Sequence, residues 1–356
     1  MRRSLRIAMV APPWYRIPPS GYGGVELVCA ALVDALVARG HRVTLFGTGP
    51  GSGTAARFVG TARTLQYRRM GEDMMPVLMH VARVNRHLAA GHFDVIHDHT
   101  VAGALSAAGR SAPTVVTMHG PPVSELGDFY DEVGTDIRLV AISEAQRRER
   151  PGLPWAGMIH NGVDPVGFHP RRSAYGPILW LGRFCPDKGP DLAIQACRAS
   201  TLPLVLAGKC SERAERRYLD DVVRPLLGPG VDLVLNPDRP TALDLLATAR
   251  CLILPIRWDE PFGMVMIEAM ASGTPVVALR RGSVPEVVDD GVTGWICDEP
   301  AQLPDALRRA DELDTDACRT HVRRRFSAEV MASRYEAVYR QAITSGGGPD
   351  RTRPGR

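Results

Sequence analysis

Lysine is almost absent from this 356-residue chain: Lys188 and Lys209 are the only two, so nearly all of its 43 basic residues are arginine. The basic residues are scattered instead of gathered in blocks. With 39 acidic residues against them the formal charge is +4, which argues against a nucleic-acid-binding surface. The seven cysteines (Cys29, Cys185, Cys197, Cys210, Cys251, Cys297 and Cys318) are odd in number and contain no C-x-x-C pair. That pattern excludes a disulfide framework and a zinc ribbon, and it points to free thiols in a reducing compartment. No uninterrupted apolar run approaches the roughly 18 residues that a membrane span needs. The first ten residues also lack the apolar run and cleavage site of a signal peptide. These absences predict a soluble, cytoplasmic protein. What is present is an ordinary globular composition, 45% apolar and 23% charged, over a length that suits two domains better than one.

Periodicity supplies the fold class. Residues 5–10 read as a short apolar strand, 25–39 as a helix stopped by Gly40, and 41–46 as a second strand. Strand-like runs at 93–97, 114–118 and 138–142 then alternate with helical stretches. A turn-rich passage to Gly176 precedes a second set at 178–181, 204–207, 231–235, 251–255 and 275–278. The expectation is an α/β protein of two Rossmann-like domains, 1–172 and 173–325, facing a central cleft where the strand C-termini meet. An amphipathic helix over about 326–343 is expected to pack back on the first domain, and the Gly-, Pro- and Arg-rich tail 345–356 to be disordered.

The most informative stretch is D-E-P-F-G-M-V-M-I-E-A-M-A-S-G-T-P, residues 259–275. It reads as the loop and short helix that follow strand 251–255, with Gly273 and Pro275 ending the helix. Helix side chains tilt toward the N-terminus, so Glu268 reaches back to that end while Glu260 reaches it from the loop. Two carboxylates then bracket one ligand. Gly263 has no Cβ to hold the ligand away, and the free N–H groups of Gly263, Met264 and Val265 suit an anionic or hydroxyl-rich group. A phosphorylated sugar fits, since carboxylates accept hydroxyl hydrogen bonds worth about 1.5–3 kcal/mol each.

Glu260 and Glu268, with P-F-G between them and E-A-M-A-S-G-T-P-V-V following, resemble the glutamate pair of the retaining, GT-B-fold glycosyltransferase family 4. The resemblance covers nearly the whole chain. It implies that Glu260 contacts donor-sugar hydroxyls and that Glu268 contacts the nucleotide ribose, with Phe262 part of the donor-binding loop. Arg183 and Lys188, in G-R-F-C-P-D-K-G, match the family's R-x4-K pair, which clamps the donor diphosphate. Gly23 and Gly24, in Y-G-G-V-E, resemble its first glycine loop, although glycines before a helix are common. His119, at the end of T-M-H, falls where the family places a histidine beside the reacting sugar.

Other patterns carry less. The run 47–53 superficially resembles a dinucleotide fingerprint, but it follows the second strand and no clear helix succeeds it. His97 and His99 share one side of a strand end; without a third ligand they read as a polar cleft wall near the acceptor and not as a zinc site. Asp314-Thr315-Asp316 reads as solvated surface, and a Schiff-base role for Lys209 has nothing else to support it. Arg63, Tyr67, Arg68 and Arg69 precede an apolar helix from Met74, which reads as an ordinary helix face in preference to a membrane-docking one. The functional expectation is a retaining transfer of a hexose-type sugar from a nucleoside diphosphate, UDP favoured and GDP next, to a hydroxyl of a small-molecule or glycan acceptor. The base is expected near residues 235–238, and neither a metal nor another cofactor is expected. The alternatives are a GT-B phosphorylase, a nucleotide-sugar epimerase or hydrolase, and a non-catalytic sugar-nucleotide binding protein.

Overall fold

The computed structural model describes residues 3–70, 73–123, 125–173 and 175–345. Apart from Ser345, the tail expected to be disordered lies outside them. Seven strands form the first sheet: β1 (Arg6–Val10), β2 (Arg42–Thr48), β3 (Arg57–Ala62), β4 (Val95–Asp98), β5 (Thr114–Thr117), β6 (Ile137–Ala141) and β7 (Trp155–Met158). Their spatial order is 3-2-1-4-5-6-7, parallel at every pairing. Six form the second: β8 (Ile178–Arg183), β9 (Leu204–Lys209), β10 (Val231–Leu235), β11 (Cys251–Leu254), β12 (Val276–Leu279) and β13 (Gly294–Cys297). Their order is 10-9-8-11-12-13, again all parallel.

Both sheets therefore reverse strand order once, between β1 and β4 and between β8 and β11. Loops leaving the C-terminal ends of such neighbours diverge and leave a crevice, the place where open α/β sheets bind ligands. β11 and β12 are buried throughout, as is β1 after Arg6, and they read as apolar runs because helices cover both faces. Three edge strands, β3, β7 and β13, escape the sequence reading. Each contains a glycine and is largely half-exposed, so neither a continuous nor an alternating apolar pattern marks it.

Four helices position the site: α1 (Gly24–Ala38) after β1, α2 (Met75–Ala90) after β3, α3 (Met264–Ser272) after β11, and the terminal α4 (Ala328–Ser345). Although α4 follows the second sheet in the chain, its Met331, Tyr335 and Tyr339 are buried in one cluster with Val28 and Leu32 of α1. Between α1 and α4 lies Glu336, bound by Arg39 and Arg340. No helix among the described residues is long and apolar enough to cross a membrane.

Candidate active site

At the second reversal point, β8 ends at Arg183 and a tight turn carries the chain to Lys188 and Gly189. Gly189 has φ +62°, and a Cβ there would lie 2.2 Å from the Pro255 carbonyl oxygen. Glycine thus lets the Arg183–Lys188 turn close against the end of β11. The loop after β11 supplies the partner. Lys188 forms an ion pair with Glu260, and the Trp258 indole N–H donates to the same Glu260 oxygen over 3.1 Å. The ammonium also sits 4.7 Å from the centre of the Trp258 ring. Lys188 holds one carboxylate oxygen, which leaves the other free to accept.

Gly263 begins α3 with φ +73°, and Met264 behind it packs against both domain cores. A Cβ on Gly24 would stand 3.9 Å from Met264 Cγ, so the N-termini of α1 and α3 approach each other across the cleft. Two helix starts with unsatisfied N–H groups make this a strongly anion-attracting place. Arg183 beside it is half-buried and bound to no carboxylate among the described residues. It makes no ion pair among them, although Glu215 and Glu212 lie near enough to favour its charge.

Glu268 is buried and bound by Arg239, whose guanidinium lies 5.2 Å from the Phe168 ring. The backbone N–H of Arg239 reaches across to the Ser20 carbonyl over 2.8 Å, and Gly21 faces the Pro237 carbonyl. The 235–238 stretch thereby touches the glycine loop of the other domain.

On the first domain, Gln146 donates to the carbonyls of both Met118 and Gly120, at 2.9 and 2.7 Å, and so fixes the backbone on either side of His119. His119 Nε2 and His99 Nδ1 are 2.9 Å apart. The cleft-wall reading of His97 and His99 is corrected. His97 is fully buried, bonded to the Tyr339 hydroxyl of α4 and to Thr117, because strand β4 lies at the sheet centre with both faces covered. Among the described residues no group of three His, Cys, Asp or Glu side chains is placed to hold a metal ion. Asp314 of the D-x-D stretch accepts from the Asp316 N–H and caps a helix.

Burial pushes His119 down to about 4, His97 to about 3 and His99 well below its usual range, so all three are neutral near pH 7. Because the folded values lie below the unfolded value near 6.5, this cluster costs stability as pH falls from about 6.5 toward 4. The loss is roughly 1–2 kcal/mol per pH unit for each imidazole. Thermal melts at pH 7, 6 and 5 check this; a melting temperature unchanged down to pH 5 would mean that the cluster takes up protons while folded.

Of the residues singled out from sequence, Lys188 and Glu260 are in contact, and Gly24 and Met264 are neighbours across the cleft. Gly23 is the residue before α1, at φ +149°. Val265 is half-buried in the first turn of α3. The Phe262 side chain is not a cleft group: it is 2% exposed and packs on His160 and Phe326. Only its backbone serves the loop. Sequence reasoning does not single out Trp258, Arg239 or Gln146. Trp258 stands two residues before Glu260 and could have been found there; the others come together only in space.

Residues 170–326 match the family model for glycosyl transferases group 1, and residues 22–166 that for glycosyltransferase family 4. A phosphatidyl-myo-inositol mannosyltransferase of Mycobacterium leprae is 28% identical over 96% of this chain and 98% of its own length. YtcC of Bacillus subtilis, itself named as a glycosyltransferase, is 33% identical over 73% of this chain and 76% of its own. Among solved structures, AviGT4, a glycosyltransferase involved in avilamycin A biosynthesis, superposes with TM-score 0.75 at 26% identity, covering 97% of this chain and 99% of that one. HepE of Anabaena, solved with UDP-glucose, has TM-score 0.71 at 18% identity over 96% and 100% of the two chains, a likeness of fold. The chain belongs to the group 1, family 4 glycosyltransferases and has their GT-B fold.

Proposed function

We propose that the protein transfers a hexose-type sugar from a nucleoside diphosphate, UDP first among candidates, to an acceptor hydroxyl with retention of configuration. The observation that carries this reading is the Lys188–Glu260 pair just before the start of α3, with Arg183, which makes no ion pair among the described residues, at the end of β8 in the same turn as Lys188. Breaking the anomeric C–O bond leaves positive charge on the sugar and negative charge on the diphosphate. Two cations and a helix N-terminus, fixed before the reaction begins, stabilise that leaving group. Glu260 keeps an oxygen for the donor-sugar hydroxyls, and Glu268, oriented by Arg239, presents a carboxylate to the ribose. His119 remains neutral and lies near the reacting sugar on the opposite wall. HepE, which shares the fold, was solved with UDP-glucose, and this supports UDP as the first donor to test.

Calorimetry against UDP-, GDP-, ADP- and TDP-sugars, followed by product analysis with retention read from the anomeric coupling constant, tests the reading. Glu268→Ala is expected to weaken nucleotide binding about 10- to 100-fold, the worth of a charge-assisted hydrogen-bond pair. Glu260→Ala is expected to leave binding largely intact and lower turnover. Equal affinity and equal turnover in both variants and the parent protein would contradict the assignment, and donor binding without turnover on any acceptor would make the protein a sensor.

A further inference from the structure

His119 ends a chain of ring nitrogens whose partners leave it one place to carry its proton. A neutral imidazole has one N–H and one bare nitrogen, and the partner of each nitrogen decides which is which.

Met9 makes the first choice. His99 Nε2 lies 3.2 Å from Met9 Sδ of β1. A thioether sulfur can only accept, so this nitrogen carries the proton; two lone pairs facing each other at that distance would repel. The contact is held from several sides. Met9 is wholly buried, and the His99 backbone N–H donates to the Val10 carbonyl over 2.9 Å. His97 packs on the His99 ring with centres 4.1 Å apart, and is itself bonded to Tyr339 and Thr117.

The second choice follows from the first. With its proton on Nε2, His99 has a bare Nδ1, which stands 2.9 Å from His119 Nε2. The two rings have centres 5.2 Å apart and planes 24° apart, so they meet edge to edge, as a lone pair in the ring plane requires. One of two nitrogens this close must donate, and His99 has no proton there. His119 therefore carries its proton on Nε2 and leaves Nδ1 bare. Burial holds His119 at about 4 and His99 well below its usual range, so neither ring takes a second proton near pH 7. The Nδ1 of His119 has no hydrogen-bond partner among the described residues and is not sealed from solvent.

We propose that Met9 and His99 are positioning residues that fix the tautomer of His119, so that its bare Nδ1, the negative end of the imidazole dipole, faces the sugar on which positive charge develops. The proposal rests on the glycosyltransferase reading above and adds what orients one wall of that site. The other tautomer turns an N–H toward the developing cation. It therefore costs turnover and not nucleotide affinity, since the nucleotide and diphosphate groups fall to the second domain.

Long-range nitrogen–proton NMR spectra of the full chain, with its histidines labelled with nitrogen-15, read the tautomers at pH 7, because bare and protonated ring nitrogens resonate far apart. Single histidine substitutions assign the signals. Expected in the parent is Nε2–H on both His99 and His119. Met9→Leu keeps the side-chain volume but removes the acceptor. The His99 proton then moves to Nδ1 and is donated to His119 Nε2, and the His119 proton moves to Nδ1. His99→Leu, which removes the partner of His119 Nε2 outright, is expected to give the same His119 tautomer.

In both variants kcat should fall about 10- to 100-fold, measured with whichever UDP-, GDP-, ADP- or TDP-sugar the parent turns over. UDP affinity by calorimetry should stay within about twofold of the parent. A role in packing alone would lower the melting temperature and leave the His119 tautomer as it was. Nδ1–H on His119 in the parent overturns the proposal, as does a parental His119 tautomer in both variants. A changed tautomer with kcat within about threefold of the parent overturns it too. The expected tautomers in a parent that turns over no sugar nucleotide leave the tautomer assignment standing and sink the glycosyltransferase reading instead.

Discussion

Replacing Lys188 by methionine is expected to lower kcat/KM for the nucleotide sugar by about 100- to 1,000-fold, the usual cost of removing one preorganised group from a developing negative charge. The side chain is only 16% exposed and is held by Glu260 and the Trp258 face. Its ammonium is therefore already in place when the diphosphate departs, and little reorganisation is needed. Methionine keeps the length and packing but removes the charge, so the melting temperature should move much less than the rate. Lys188→Arg should recover part of the loss, because the charge returns in a planar fork that fits the Glu260–Trp258 corner less well. A change below about threefold in Lys188→Met, with the fold intact, would take Lys188 out of the reaction.

Glu336→Leu is expected to destabilise the protein by about 3 kcal/mol at pH 7, the scale seen when one partner of a buried ion pair is removed. Glu336 is 2% exposed and accepts from Arg39 at 2.7 and 3.1 Å and from Arg340 at 2.8 Å. Burial alone would raise its pKa; the two arginines more than reverse this and hold it at about 2. A folded value below the unfolded one means that the stabilisation is complete above about pH 4.5 and is lost as pH falls toward 2. The gap between variant and parent should therefore narrow in acid. Urea unfolding at pH 7 and pH 3.5 measures it, and a gap that widens in acid would contradict the assignment. The consequence reaches the active site. Glu336 pins α4 to α1, and α4 carries Tyr339 and Tyr335 to His97 and Thr117 at the start of the His97–His99–His119 chain.

How much of this is legible in the chain depends on whether the partners are close in sequence. Residues 259–275 hold the loop, the glycine, the helix start and both glutamates in one run, so their placement together can be read directly. Arg183 and Lys188 share a turn and are read the same way. Arg239, which holds Glu268, stands 29 positions away from it, and Gln146, which fixes His119, stands 27 away. Nothing local marks either. Phe262 shows the converse: a residue inside a functional run reads as a donor contact, whereas its ring packs into a buried cluster with Phe326 and His160. Sequence adjacency brings a backbone to a site, but packing decides which way each side chain turns.

The chain by itself determined the α/β class, the apolar central strands and the contiguous run that carries Glu260 and Glu268, because local periodicity and contiguous motifs encode those without any distant partner. Only the tertiary structure decided which histidines are core and which line the cleft, which residues of α1 the returning α4 packs against, and that scattered arginines of one segment line a single cavity. Each of these depends on contacts between residues far apart in the chain, where burial and charge pairing are properties of the assembled fold.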